Sequence, residues 1–112
     1  MSPQEFIEAV RIVVSNDRGK KTAAMLENPP GRKGADLYKE VSRWFKSLSL
    51  KDKEFVAEAM QIAAEDAVFG LLTVLDGAAA IEPRGPKGEL ELYFVKDGKK
   101  THLNALPLHE LY

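Results

Sequence analysis

The chain has 112 residues, is 45% hydrophobic and carries a net charge of −1, so it can build one core but offers no general attraction to nucleic acid or an acidic membrane. It has no cysteine, which excludes disulfides, thiolate metal sites and cysteine nucleophiles and suits a reducing compartment, by default the cytoplasm. The charge is uneven, +4 over residues 1–53 and −5 over residues 54–112; basic and acidic elements are expected either to interleave at their rims or to present a docking face to a charged partner.

The opening MSPQEFIEAV lacks a basic leader, an uninterrupted apolar core and a small-residue cleavage site, so no secretory signal is expected. The longest apolar run, residues 67–75, is broken by Gly70 and Thr73 and falls well short of the ~20 residues of a membrane span. A soluble protein follows.

Ser2-Pro3-Gln4-Glu5 announces the first helix, with Ser2 as cap and Pro3 at the first helical position. Phe6, Val10, Val13 and Val14 are expected on its inward face, and the helix should end between Asp17 and Gly19. Residues 20–27 read as a second helical segment, stopped by the NPPG of residues 28–31. A basic loop follows, and Asp36 caps a helix in which Leu37, Val41, Trp44, Phe45 and Leu48 form an apolar stripe. Lys39, Arg43 and Lys46 occupy its other side.

A long helix is expected from Ser49 to about Leu75. Its first half has a solvated stripe of Glu54, Glu58, Gln61 and Glu65, and from Val68 onward it is apolar all round and should be covered. Gly77 is suited to the left-handed residue after the last turn. The period then becomes alternating: residues 78–82 could form a strand, 83–88 a loop and 89–96 a second strand. Asp97-Gly98 is a two-residue hairpin signal with residues 99–104 returning. This turn pairs Lys96 with Lys99, Phe94 with Thr101 and Leu92 with Leu103 on the core face, leaving Val95 with Lys100, Tyr93 with His102 and Glu91 with Asn104 on the other. Residues 107–112 read as a closing helical turn. The fold class is α+β, three or four N-terminal helices followed by a small antiparallel sheet, a hairpin or three-strand meander. One domain is expected over 1–112, helical to about 76, β over about 77–106.

No catalytic constellation is found. Glu65 and Asp66 are adjacent and diverge by about 100° on a helix, so they cannot act as paired carboxylates. Asp66 shares a stripe with Phe55, Ala59, Ile62, Phe69 and Thr73, and is expected to enter the core beside Arg11, Arg43 or backbone donors, or else to touch a ligand. Asp76 opposes the dipole at a helix end and should be held by some donor, in the chain reversal or on the adjacent strand. His102 and His109 lack metal-ligand spacing, and no serine lies in a GxSxG context, so neither a metal site, a cofactor nor serine catalysis is expected. The loop from Gly31 to Gly34, with Arg32 and Lys33, resembles an anion cradle without the phosphate-loop spacing. The basic residues of the N-terminal half have no interleaved exposed aromatics, so nucleic acid is not an expected partner. The outward hairpin face of Glu91, Tyr93, His102 and Asn104 is the candidate interaction surface, since Tyr and His suit interfaces.

In VLDGAAAIE, GELELYFVKDGKKTHLN and LHELY the chain resembles small bacterial α+β proteins, some of immunity type and others uncharacterised. The resemblance covers mainly residues 68–112 and implies a non-enzymatic α+β protein that binds a protein partner stoichiometrically, in an immunity or accessory role. The near-neutral charge departs from the acidic character of immunity proteins that block nucleases, which puts a basic nuclease target in doubt. The alternative is a regulatory domain binding a small molecule or phosphate at the Gly31–Gly34 loop or near Asp66. A homodimer through an open sheet edge is a further expectation.

Overall fold

The computed structural model describes residues 1–29 and 36–112. The expected anion loop, with Gly31, Arg32, Lys33 and Gly34, therefore lies outside the described residues. The elements are α1 (Pro3–Val10), a π-helical turn (Arg11–Ser15), α2 (Arg18–Glu27), α3 (Asp36–Lys46), α4 (Leu50–Leu75), β1 (Tyr93–Lys96), β2 (Lys99–His102), a 3₁₀ turn (Leu103–Ala105) and α5 (Leu108–Leu111). This is an α+β fold in which helices precede a two-stranded antiparallel sheet. Residues 17–64 form one compact unit, and residues 1–16 with 65–112 form another.

In the unit of residues 17–64, α2, α3 and the first half of α4 pack through small and polar contacts as well as apolar ones. Gly19 opens α2 against α4 at a distance that only glycine allows: a Cβ would lie 2.1 Å from the Ala57 carbonyl oxygen and 2.9 Å from the Gln61 amide nitrogen. The Gly19 N–H, one of the orphan donors of a first helical turn, donates to Gln61 Oε1 at 2.8 Å. The fully buried Ser42 of α3 donates to the Leu26 carbonyl at 2.6 Å, which seats α3 on α2 beside the buried Phe45. Lys53 pairs with Glu27 and lies 5.6 Å from the Phe45 ring centre.

α3 is rotated from the orientation its sequence suggests. It buries Ser42 and Phe45, so the other edge of the apolar stripe turns outward: Leu37 and Trp44 are exposed, Trp44 by 53%. The hydrogen-bonded serine, not the tryptophan, sets the packed side.

In the other unit, Ser2 caps α1 by accepting from the Glu5 N–H at 3.1 Å, as its sequence indicates. The core gathers Ile7 of α1, Leu72 of α4 and Leu108 of α5, with Phe6, Val68, Leu75, Leu92, Leu111 and Tyr112 against them. Val13 and Val14 do not join it. The turn after Val10 widens to the π form, closed by the Asn16 N–H on the Arg11 carbonyl at 2.7 Å, and this carries both valines out of the inward stripe to exposed positions. Arg11 instead places its guanidinium 4.5 Å from the Tyr112 ring centre.

Leu71 and Phe69 are exposed on α4, so the last two turns are covered on one side only, through Leu72 and its neighbours. The sheet has the predicted register, Tyr93 with His102, Phe94 with Thr101, Val95 with Lys100 and Lys96 with Lys99. Its turn residues Asp97 and Gly98 both have positive φ, 52° and 74°, the geometry that matches the twist of a tight hairpin. No strand forms over residues 78–82, and β1 starts at Tyr93 instead of residue 89. The sheet is the hairpin of the two expected forms, not the three-strand meander.

Because the Gly19 site meets backbone, not a flexible side chain, it cannot yield easily. Gly19→Ala is expected to destabilise the fold by about 3 kcal/mol, the upper end of overpacking costs, read as a lower urea midpoint; a midpoint equal to the parent's would show that α2 and α4 do not approach this closely.

Candidate functional site

The C-terminal end of α4 collects most of the polar chemistry of its unit. A helix leaves its last four carbonyls without intrahelical donors. Here the Leu72 carbonyl accepts from the Asp76 N–H at 3.0 Å, Thr73 from the Ala78 N–H at 2.9 Å, and Val74 from the Gly77 N–H at 3.1 Å. Gly77 makes this reversal by taking φ of 74°. Only the Leu75 carbonyl has no donor in the reversal, and the Asn104 side-chain amide supplies it at 2.7 Å.

Asn104 uses its whole amide. Nδ2 also donates to the Leu90 carbonyl at 2.8 Å, and Oδ1 accepts from the Leu92 N–H at 2.9 Å. Strand alternation predicts Asn104 on the outward hairpin face opposite Glu91. The structure corrects this: β2 ends at His102, the chain enters a 3₁₀ turn at Leu103, and Asn104, part-buried, points back to the helix end. It is a clamp between α4 and the approach to β1, and does not belong to the interaction surface.

Asp76 is held in a way the sequence did not suggest. Its side chain is 4% exposed, and Oδ2 accepts from the His109 backbone N–H and contacts His109 Nδ1, both at 2.7 Å. The carboxylate thus sits at the first turn of α5, where negative charge is favoured, and this offsets its unfavourable place at the end of α4. The His109 ring also meets Phe69 edge-on at 5.8 Å. A carboxylate on a histidine Nδ1 is half of a hydrolytic triad in form. Here the same oxygen also holds backbone, and the arrangement seats α5 on α4.

Asp66 is exposed, contrary to the expectation of a buried, paired carboxylate. Its stripe faces outward, since Phe55, Ile62 and Phe69 on the same line are 58%, 62% and 44% exposed. An apolar stripe shows that residues share a side of a helix; it does not show that the side is covered.

The outward hairpin face retains Glu91, Tyr93 and His102 from the expected surface and gains Lys100. The Tyr93 ring stacks on His102 with centroids 4.9 Å apart and an interplanar angle of 27°. Lys100 Nζ lies 5.4 Å from the Tyr93 ring centre, and the Tyr93 hydroxyl donates to Glu91 Oε2 at 3.0 Å. That hydrogen bond to the carboxylate, with a little desolvation and the nearby negative charge, raises the Tyr93 pKa above its ordinary value. Beside this face a cleft of about 460 Å³ is lined by Asp76, Lys87, Glu89, Glu91, His102 and Asn104, among others.

Among the described residues no three His, Asp or Glu side chains converge as a metal set would, and no helix is long and apolar enough to cross a membrane. Comparisons with protein-family models, with curated proteins and with solved structures found no match.

Asn104→Ala leaves three backbone groups without their partner, those of Leu75 and Leu92 part-buried and that of Leu90 exposed, and should cost about 2–3 kcal/mol by chemical denaturation. Asn104→Asp should do no better, since a carboxylate cannot donate to the Leu75 and Leu90 carbonyls; near-parent stability of either variant would remove the clamp. For Tyr93 the sign is that of an acid whose pKa is raised on folding: the stabilisation is complete below the unfolded phenol's pKa and is lost as pH rises through the folded one. Glu91→Gln should therefore bring the Tyr93 titration, followed by NMR of the ring carbon bearing the hydroxyl, down toward the ordinary range, and an unchanged titration would exclude Glu91 as the cause.

Proposed function

We propose that this chain is a non-enzymatic, cytoplasmic protein-binding module that engages one protein partner stoichiometrically, in the immunity or accessory role implied by its resemblance to small bacterial proteins of that type. The observation that carries the reading is the ordered layer of Glu91, Tyr93, Lys100 and His102 on the outward hairpin face. Tyrosine supplies a large amphipathic contact, and its stacking and hydrogen bonds restrain the ring before binding, which lowers the entropy cost of association. The four side chains together present both charge signs around an aromatic centre, the composition of an interface anchor with a polar rim.

A second reading, a domain that binds a small molecule, is favoured by the cleft beside this face, where Lys87 stands among Asp76, Glu89 and Glu91. Its mixed charge suits a ligand with both a cationic and an anionic group. The Gly31–Gly34 loop and Asp66 do not enter this version: the first lies outside the described residues, and the second is exposed on α4.

The two readings part in one experiment. Affinity purification of the tagged chain from its native cytoplasm should yield one partner at 1:1 stoichiometry, and a Tyr93→Ala, His102→Ala double variant should lose it while keeping the parent's melting temperature. Purification without a stoichiometric partner, together with a thermal upshift on a small-molecule screen, would replace the first reading with the second. A partner retained equally by the double variant would remove the hairpin face from it.

A further inference from the structure

The hairpin has two edges, and its hydrogen-bond phase determines which backbone groups they expose. The two-residue turn makes Lys96 and Lys99 a hydrogen-bonded pair, and with the observed register the same holds for Phe94 with Thr101. The Leu103 N–H on the Leu92 carbonyl at 2.8 Å continues that phase beyond the ladder. The N–H and C=O groups of Tyr93 and Val95 therefore point away from β2, and among the described residues no other strand pairs with β1. A strand edge of this kind accepts another extended chain.

We propose that the strand that completes β1 is β1 of a second copy of this chain, paired antiparallel about Phe94 to give a continuous four-stranded sheet. A two-fold axis at Phe94 sets Tyr93 opposite Val95 of the other copy, and the reverse. Each pair exchanges two N–H···O=C bonds, four in all, and makes an aromatic and β-branched cross-strand contact from side chains that are 41% and 58% exposed in the single chain.

Charge selects this arrangement over the alternatives. Antiparallel pairing brings Lys96 opposite Leu92 of the other copy, whereas a parallel pair would set the two Lys96 side chains together. Glu91 and Asp97 lie at the ends of the ladder, outside the four bonds. The β2 edge is a poor substitute: its self-pairing would crowd Lys99, Lys100 and His102 of both copies along one seam, and lysine on an edge is a common protection against such pairing. The pairing uses the backbone edge of β1 and one flank of Tyr93 and leaves His102 and Lys100 on the far side of that strand, so the dimer stands on the hydrogen-bond phase and does not depend on the partner reading.

Sedimentation equilibrium over a concentration series tests the oligomer, and cysteine cross-linking tests its register, which is clean because the chain has no cysteine of its own. The parent should approach twice its 12.4 kDa mass as concentration rises. Val95→Lys, at a position 58% exposed in the single chain, keeps the backbone bonds but removes both Tyr93–Val95 cross-strand contacts of the symmetric pair, and should raise the dimer dissociation constant by about tenfold or more. An equimolar mixture of Tyr93→Cys and Val95→Cys chains should form the mixed disulfide in preference to either like pair. A parent that stays monomeric throughout, a Val95→Lys variant that dimerises like the parent, or like pairs forming as readily as the mixed one would each overturn the proposal.

Discussion

The Leu75 carbonyl, which the chain reversal leaves without a backbone donor, is the constraint around which residues 65–112 are arranged. The chain turns back at Gly77 and in doing so answers three of the four carbonyls that α4 leaves open, but the geometry of the turn cannot reach the fourth. A donor has to come from elsewhere, and Asn104 brings it from 29 residues downstream. Since the same amide also binds the Leu90 and Leu92 backbone, the segment leading into β1 is fixed to the helix end by one side chain. The hairpin that follows inherits its position from this contact, and with it the placing of Tyr93 and His102.

Asp76 shows how one acid can serve two helices with opposite needs. At the end of α4 it opposes the dipole; at the start of α5 it matches it. Burial makes the position depend on His109, whose backbone and ring both meet the same carboxylate oxygen. α5 is a single turn and would not form by itself. It is held by this acid on one side and by Leu108 in the core on the other.

The local features were legible in the sequence. Ser2 and Pro3 mark a helix start, Gly77 a helix stop and Asp97-Gly98 a hairpin, because each is a short-range geometric need that few residues meet; the register of four strand pairs followed directly from the last. What could not be read is which side of an element another element would cover. The stripes of α3 and α4 are real, yet Trp44, Phe55 and Ile62 face outward while Ser42 and Gly19 mark packed sides. Small residues making a close approach leave a weaker trace than apolar ones. Asn104 was misplaced for a different reason: extending the strand alternation by two residues assigns it to the wrong face once a 3₁₀ turn has begun. A side-chain amide such as Asn shortly after a hairpin, with an unanswered helix end upstream, is the signal that could have found it.

The order of the two units along the chain has a kinetic side. Residues 17–64 are contiguous, so their helices meet across a shorter stretch of chain, 42 residues for Gly19 with Gln61, whereas the other unit joins residues 1–16 to residues 65–112 across that interval. Closing so long a segment is entropically costly while it is an open coil and less so once its interior has ordered. α4 belongs partly to each unit, so helix nucleated against α2 through Gly19 can extend toward Leu75 and present a finished end to Asn104. Folding would then run outward from the middle of the sequence, with the contact between α1 and α5 among the last to form.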